Sequence, residues 1–79
     1  MKEQIRNFII DKLMYGEGTL NYDEPLFDSG KIDSLGFIKI LSFIDKQFKV
    51  KIEMSEVTMD KFATIDKIVK TIESKSKGS

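Results

Sequence analysis

Gly30-Lys31-Ile32-Asp33-Ser34-Leu35-Gly36-Phe37 is the stretch from which the rest of the chain is read. It closes a long polar loop and opens the most apolar run in the sequence. Asp33 and Ser34 belong to the residue types that cap helix starts, because a short side-chain oxygen accepts from first-turn N–H groups that lack a partner. A helix N-terminus also carries partial positive charge and free donors, which suit a phosphate. Ser34 therefore offers a hydroxyl where a phosphodiester would be favoured. On position alone a Ser or Asp before a helix is most often only a cap, so the place by itself leaves both readings open.

Downstream, residues 35–48 read as a helix. At about 100° per residue, Phe37, Ile40, Leu41, Ile44 and Phe48 share one arc, the core face. Phe43 stands at the edge of that arc, where packing against the loop is expected. Leu35 and Ile38 fall well away from it, beside Lys39, Ser42, Asp45 and Lys46. Two exposed aliphatics next to Ser34 are a candidate docking surface, although single exposed aliphatics carry no such meaning.

Upstream, Gly16, Gly18, Asn21, Asp23, Pro25, Asp28, Ser29 and Gly30 break any regular pattern, so residues 16–33 read as a loop. Leu20, Tyr22, Leu26, Phe27 and Ile32 are scattered through it and are expected to hold it across the helices. A calcium loop is excluded. A ligand pattern begun at Asp23 meets Pro25, and one begun at Asp28 meets Gly30 and Ile32, where oxygen ligands are required. Before the loop, Ile5, Phe8, Ile9 and Leu13 form one stripe, so residues 3–15 read as an amphipathic helix ended by a left-handed Gly16.

After Phe48, the alternation in Lys49-Val50-Lys51-Ile52 reads as an extended connector that inserts Val50 and Ile52. Ser55 resembles an N-cap for a short helix over 56–61, anchored by Phe62. Thr64 reads as the cap of a last helix, 65–74, with Ile65, Ile68, Val69 and Ile72 inward. The expected fold is all-α: a small four-helix bundle of three main helices and a short third, with a long loop between helices 1 and 2. It occupies 1–74 and is followed by a flexible tail over 75–79 that ends in Gly78-Ser79.

Seventy-nine residues leave room for one core and no deep substrate cleft. The chain has neither cysteine nor histidine. A thiolate nucleophile, a disulfide framework, a thiol-rich metal site and the commonest general base are thus all missing. Acids and bases balance at thirteen each, which gives no sign of nucleic-acid binding. Their placement is uneven. Between Glu17 and Asp33 the acids Glu17, Asp23, Glu24, Asp28 and Asp33 stand against Lys31 alone, a net −4 that the rest of the chain offsets with twelve bases to eight acids. No run approaches membrane-spanning length and no signal-peptide core is visible, so a soluble, cytoplasmic monomer is expected.

With this order of elements and Asp33-Ser34-Leu35 opening the second helix, the chain resembles the acyl carrier family over nearly its whole length. The resemblance implies a 4′-phosphopantetheine arm, derived from coenzyme A, on Ser34, with Asp33 and Leu35 completing the motif. It implies no catalytic residue and no bound metal in this chain. Partners would be a phosphopantetheinyl transferase, an acyl- or aminoacyl-activating ligase, and acyl-transferring enzymes that dock at Leu35, Ile38, Lys39 and Ser42. The implied activity is to hold an acyl group as a thioester, as in fatty acid biosynthesis. Two features depart from fatty-acid carriers: the net charge is zero, and Lys39 and Lys46 interrupt helix two. Phe27-Asp28-Ser29-Gly30 and Gly36 are closer to D-alanyl and peptidyl carriers, so an aminoacyl cargo is the alternative. An unmodified helical adaptor is the alternative from another class.

Overall fold

Ile5 and Ile9, one turn apart and fully buried, set the inner face of the first helix. The computed structural model describes residues 1–28, 30 and 32–77, with Met59 and Lys77 described by their backbone alone. Ser29, Lys31 and Gly78-Ser79 lie outside the described residues. Helix α1 spans Lys2–Phe8 and runs on as one turn of π-helix, Ile9–Leu13, where an uninterrupted helix over 3–15 was expected. The end differs too. Gly16 donates its N–H to the Ile10 carbonyl at 2.7 Å. That six-residue closure requires a left-handed residue just before it. Tyr15 supplies it at φ +56°, ahead of Gly16 at +77°, so the reversal is shared and not left to the glycine alone.

The loop is held across the bundle as its apolar residues predicted. Leu20, Leu26 and Ile32 are buried, while Tyr22 and Phe27 are half-buried. Two backbone bonds pin it to the junction before the last helix. Leu26 N–H donates to the Ala63 carbonyl at 2.9 Å, and Asp66 N–H to the Tyr22 carbonyl at 3.0 Å. Lys2 closes the same corner, pairing with Asp66 at 2.9 Å and lying 5.6 Å from the centre of the Tyr22 ring.

Helix α2, Ser34–Phe48, turns Phe37, Ile40, Leu41 and Ile44 inward. Phe48 is only half-buried. Lys49 ends the helix in a left-handed conformation, its N–H on the Asp45 carbonyl. Phe43 does not pack on the loop. It stacks on Phe8 with ring centres 4.4 Å apart and meets Phe48 edge-on at 6.0 Å, because α1 lies along that edge of α2.

Val50 and Ile52 are buried, as the extended connector required. Ser55 is not an N-cap. It lies inside a 3₁₀ turn, Met54–Glu56, where Glu53 N–H donates to Glu56 Oε2 at 2.8 Å. Val57 is extended, so α3 starts later and is brief, Met59–Phe62. Helix α4, Ile65–Lys77, begins after Thr64, whose Oγ1 accepts from Lys67 N–H at 3.2 Å. It continues three residues past the expected end. Lys75, assigned to the tail, pairs from within α4 with Glu56 at 2.6 Å. Phe62 joins α3 to the core through an edge contact with Phe37 at 5.6 Å. The result is the expected small all-α bundle, with no strand among the described residues.

Ile44 is fully buried and Phe48 is not. Ile44→Ala is therefore expected to cost about 2–5 kcal/mol in chemical denaturation, and Phe48→Ala less; the reverse order would contradict this packing. Glu56, bonded first to Lys75 and then to the Glu53 N–H, is held below its ordinary pKa. Its ionised form is favoured in the folded state, so its contribution is present above the ordinary carboxylate range and lost as pH falls through the lowered value. Lys75→Met should flatten that part of the acid limb of a stability-versus-pH curve.

Candidate functional site

The site is built from the start of α2. Asp33, at φ −101° and ψ −174°, is extended and stands just outside the helix. Its Oδ1 accepts from Gly36 N–H at 2.7 Å, and its carbonyl accepts from Phe37 N–H at 2.9 Å. Asp33 thus satisfies one orphan donor of the first turn with its side chain and accepts the first helical hydrogen bond with its carbonyl. Ser34 is the first helical residue and is exposed. No hydrogen bond within the chain engages its hydroxyl among the described residues. Of the two cap-type residues, one caps and the other is left with a free oxygen.

Gly36 makes this closure possible. A Cβ there would come within 3.3 Å of Asp33 Oδ1 and Ile32 Cγ2, and 3.4 Å of Leu13 Cδ1. The buried glycine lets the capping carboxylate and the end of the π turn close together over the helix start.

Beside Ser34 lies an open, mainly apolar groove of about 290 Å³. Ser34 and Ile38 form one wall and Met54, Val57 and Thr58 the other, over Phe37 and Phe62. The opposite wall did not emerge from the sequence. Its residues belong to a segment whose placement depends on the 3₁₀ turn and on the Glu56–Lys75 pair, both set by distant parts of the chain.

Leu35 is 67% exposed and Ile38 50%, in agreement with the helical-arc reading. Lys39 and Ser42 are also exposed. Ile38 shares the groove with Ser34, whereas Leu35 and Lys39 line a separate hollow together with Lys12. The residues named as a docking surface therefore fall on two sides of Ser34.

A family profile described as "Phosphopantetheine attachment site" matches residues 3–72. The chain belongs to this phosphopantetheine carrier family. D-alanyl carrier proteins of Streptococcus pyogenes, among them those of serotype M5 (strain Manfredo) and serotype M1, are 34% identical to it over 65 residues, 82% of each chain. A chain of a solved structure described as "Crystal structure of FAD-dependent dehydrogenase" is 30% identical, with a TM-score of 0.79. That match covers 86% of this carrier and 97% of the other chain. The prosthetic group of the family is 4′-phosphopantetheine. The start of α2 fits such a group, with an uncommitted hydroxyl at a helix N-terminus, favourable to a phosphodiester, opening onto an apolar channel. No helix among the described residues is long and apolar enough to cross a membrane.

The division of labour between Asp33 and Ser34 gives unequal costs. Asp33→Ala removes the cap and should lose about 0.5–2 kcal/mol. Ser34→Ala removes an exposed hydroxyl that bonds nothing and should stay within about 0.5 kcal/mol of the parent. Urea unfolding midpoints of the two variants check this; equal losses would mean that both side chains cap.

Proposed function

We propose that Ser34 carries the phosphopantetheine arm and that the cargo is a short aminoacyl group, held as a thioester and delivered to partner enzymes. The arm supplies the reactive thiol, which explains how a chain without Cys or His takes part in acyl chemistry. This chain's own residues hold and present. Asp33 fixes the first turn so that the Ser34 oxygen faces outward, and Ile38, Met54 and Val57 border the path beside it. A phosphopantetheinyl transferase, with magnesium bound in that enzyme, and an aminoacyl-activating ligase are the partners this requires. Leu35, Ile38, Lys39 and Ser42 are the residues proposed to meet them.

The observation that carries the aminoacyl reading over a fatty-acyl one is the similarity to D-alanyl carriers across most of both chains. The neutral overall charge and the lysines of α2 support it, since complementary charge governs partner choice. A second reading, that the tethered cargo meets a flavin-dependent dehydrogenase, is favoured by the solved chain of carrier size described under that name. Such an enzyme would move two hydrogens from the cargo to its flavin.

Incubation with coenzyme A, magnesium and a broad-specificity transferase should raise the intact mass by one phosphopantetheine, and Ser34→Ala should abolish the gain. Failure with several transferases would leave an unmodified adaptor. Hydroxylamine treatment of the carrier from its own source should free the arm's thiol and release the cargo as the hydroxamate of a small amino acid. A fatty acid in its place overturns the cargo but not the arm, and a product two hydrogens lighter favours the flavin reading.

A further inference from the structure

Residues 53–58 stand between two hollows. On one side Met54, Val57 and Thr58 form the far wall of the groove at Ser34, over Phe37 and Phe62. On the other, Glu56, Asp60 and Lys61 face Lys67, Thr71 and Lys75 of α4 across a second hollow of about 290 Å³. The chain comes to this wall from Ile52 and leaves it for Phe62, both buried. Between those two anchors no described side chain is buried. A stretch with so little burial opens at low free energy unless something else holds it.

Two residues of α4 hold it, one turn apart on the same face. The Thr71 hydroxyl is shared between the Lys61 carbonyl, at 3.2 Å, and the Lys67 carbonyl of its own helix, at 3.0 Å. Lys75 makes the firmer hold, because each oxygen of the Glu56 carboxylate has its own task. Oε2 accepts from Glu53 N–H at 2.8 Å and closes the 3₁₀ turn, while Oε1 accepts from Lys75 Nζ at 2.6 Å. One side chain thus both shapes the wall opposite Ser34 and moors it to a helix that does not itself line the groove.

We propose that Lys75 is a positioning residue for that groove. Through Glu56 it fixes the wall in place and limits the groove to a short cargo; its release lets the wall move back into the second hollow and admit a longer one. The consequence for cargo rests on the carrier reading above, whereas the mooring of the wall does not. Lys75 and Glu56 are 30% and 39% exposed, so the pair is of modest strength. A hold of that size biases the position of a weakly buried segment without carrying the fold. Met54 and Val57 give the moving wall an apolar front, which a hydrocarbon chain would cover.

The test begins with amide hydrogen exchange of the unmodified chain, read by NMR. Lys75→Met should speed exchange at Glu53, Glu56 and Val57, whose N–H groups make the bonds of the 3₁₀ turn, by about two- to fivefold. The amides of Ile44 and Ile68 should keep their protection, and Lys75→Arg should keep the parent rates throughout. Unchanged exchange in Lys75→Met, or equal acceleration in the core, overturns the proposal. The second arm of the test loads Ser34 from acetyl- or octanoyl-coenzyme A with a broad-specificity transferase. In the parent the two loaded forms should share the same amide shifts at Phe37, Val57 and Phe62; in Lys75→Met the octanoyl form alone should move them. Octanoyl seated in both proteins, or in neither, also overturns it. If Ser34 takes up no arm, the carrier reading fails and the exchange measurement alone decides whether Lys75 holds the wall.

Discussion

The hydrogen bond from Gly36 N–H to Asp33 Oδ1, 2.7 Å long, determines where α2 begins, and the rest of the bundle follows from that. Each residue of a helix is turned by about 100° from the last. A one-residue change in the phase of the helix against its neighbours would bring Ile38 toward the core in place of Phe37. The bond also sorts two chemically similar residues. The carboxylate is turned back onto the Gly36 N–H, and the hydroxyl one residue on is left exposed. Leu13 lies so close to Gly36 that any side chain there would meet it, so the end of α1 and the start of α2 depend on the same absent Cβ.

The loop before this point is structural as much as functional. Leu20, Leu26 and Ile32 are buried as completely as the helical core, and backbone bonds at Tyr22 and Leu26 tie the loop to the entry of α4. Ile32 is the last of these anchors and immediately precedes the cap. Burial in the loop therefore fixes the approach of the chain to Asp33, which a free linker would leave undetermined. The acids of the loop stay outside. Asp23, Asp28 and Asp33 are exposed, so the negative charge stays at the surface while the apolar residues do the packing.

Much of this was legible from local pattern. The inward arc of α2, the exposure of Leu35 and Ile38, the Thr64 cap and the buried anchors of the loop each depend on neighbours within a few residues, where periodicity and capping chemistry speak directly. The departures lie where a distant residue decides. The π turn lies where Leu13 stands against Gly36 and the Ile10 carbonyl accepts the Gly16 N–H, contacts that no local pattern announces. Ser55 has the right chemistry for a cap, but Glu56, drawn to Lys75 nineteen positions away, tightens that segment into a 3₁₀ turn. Phe43 finds Phe8 because two helices lie side by side, which neither helix encodes alone. The far wall of the groove at Ser34 was unreadable for the same reason.

The placement of charge bears on how a protein with so little chemistry of its own can be selective. The cap, the free hydroxyl and the buried glycine make a helix start that presents an oxygen, and nothing in them discriminates between partners. Discrimination has to come from surface that the core does not need. On α2 the row of Leu35, Lys39, Ser42 and Lys46 is surface of that kind, exposed and apart from Ile40, Leu41 and Ile44. Lysines there beside a half-buried aromatic stack differ in sign from the acidic loop a few residues away. A partner spanning both regions must therefore carry both charges, in an order that sets its direction along the helix. Opposed patches on either side of Ser34 give orientation as well as attraction, and orientation is what a tethered group requires if it is to enter one active site and not another.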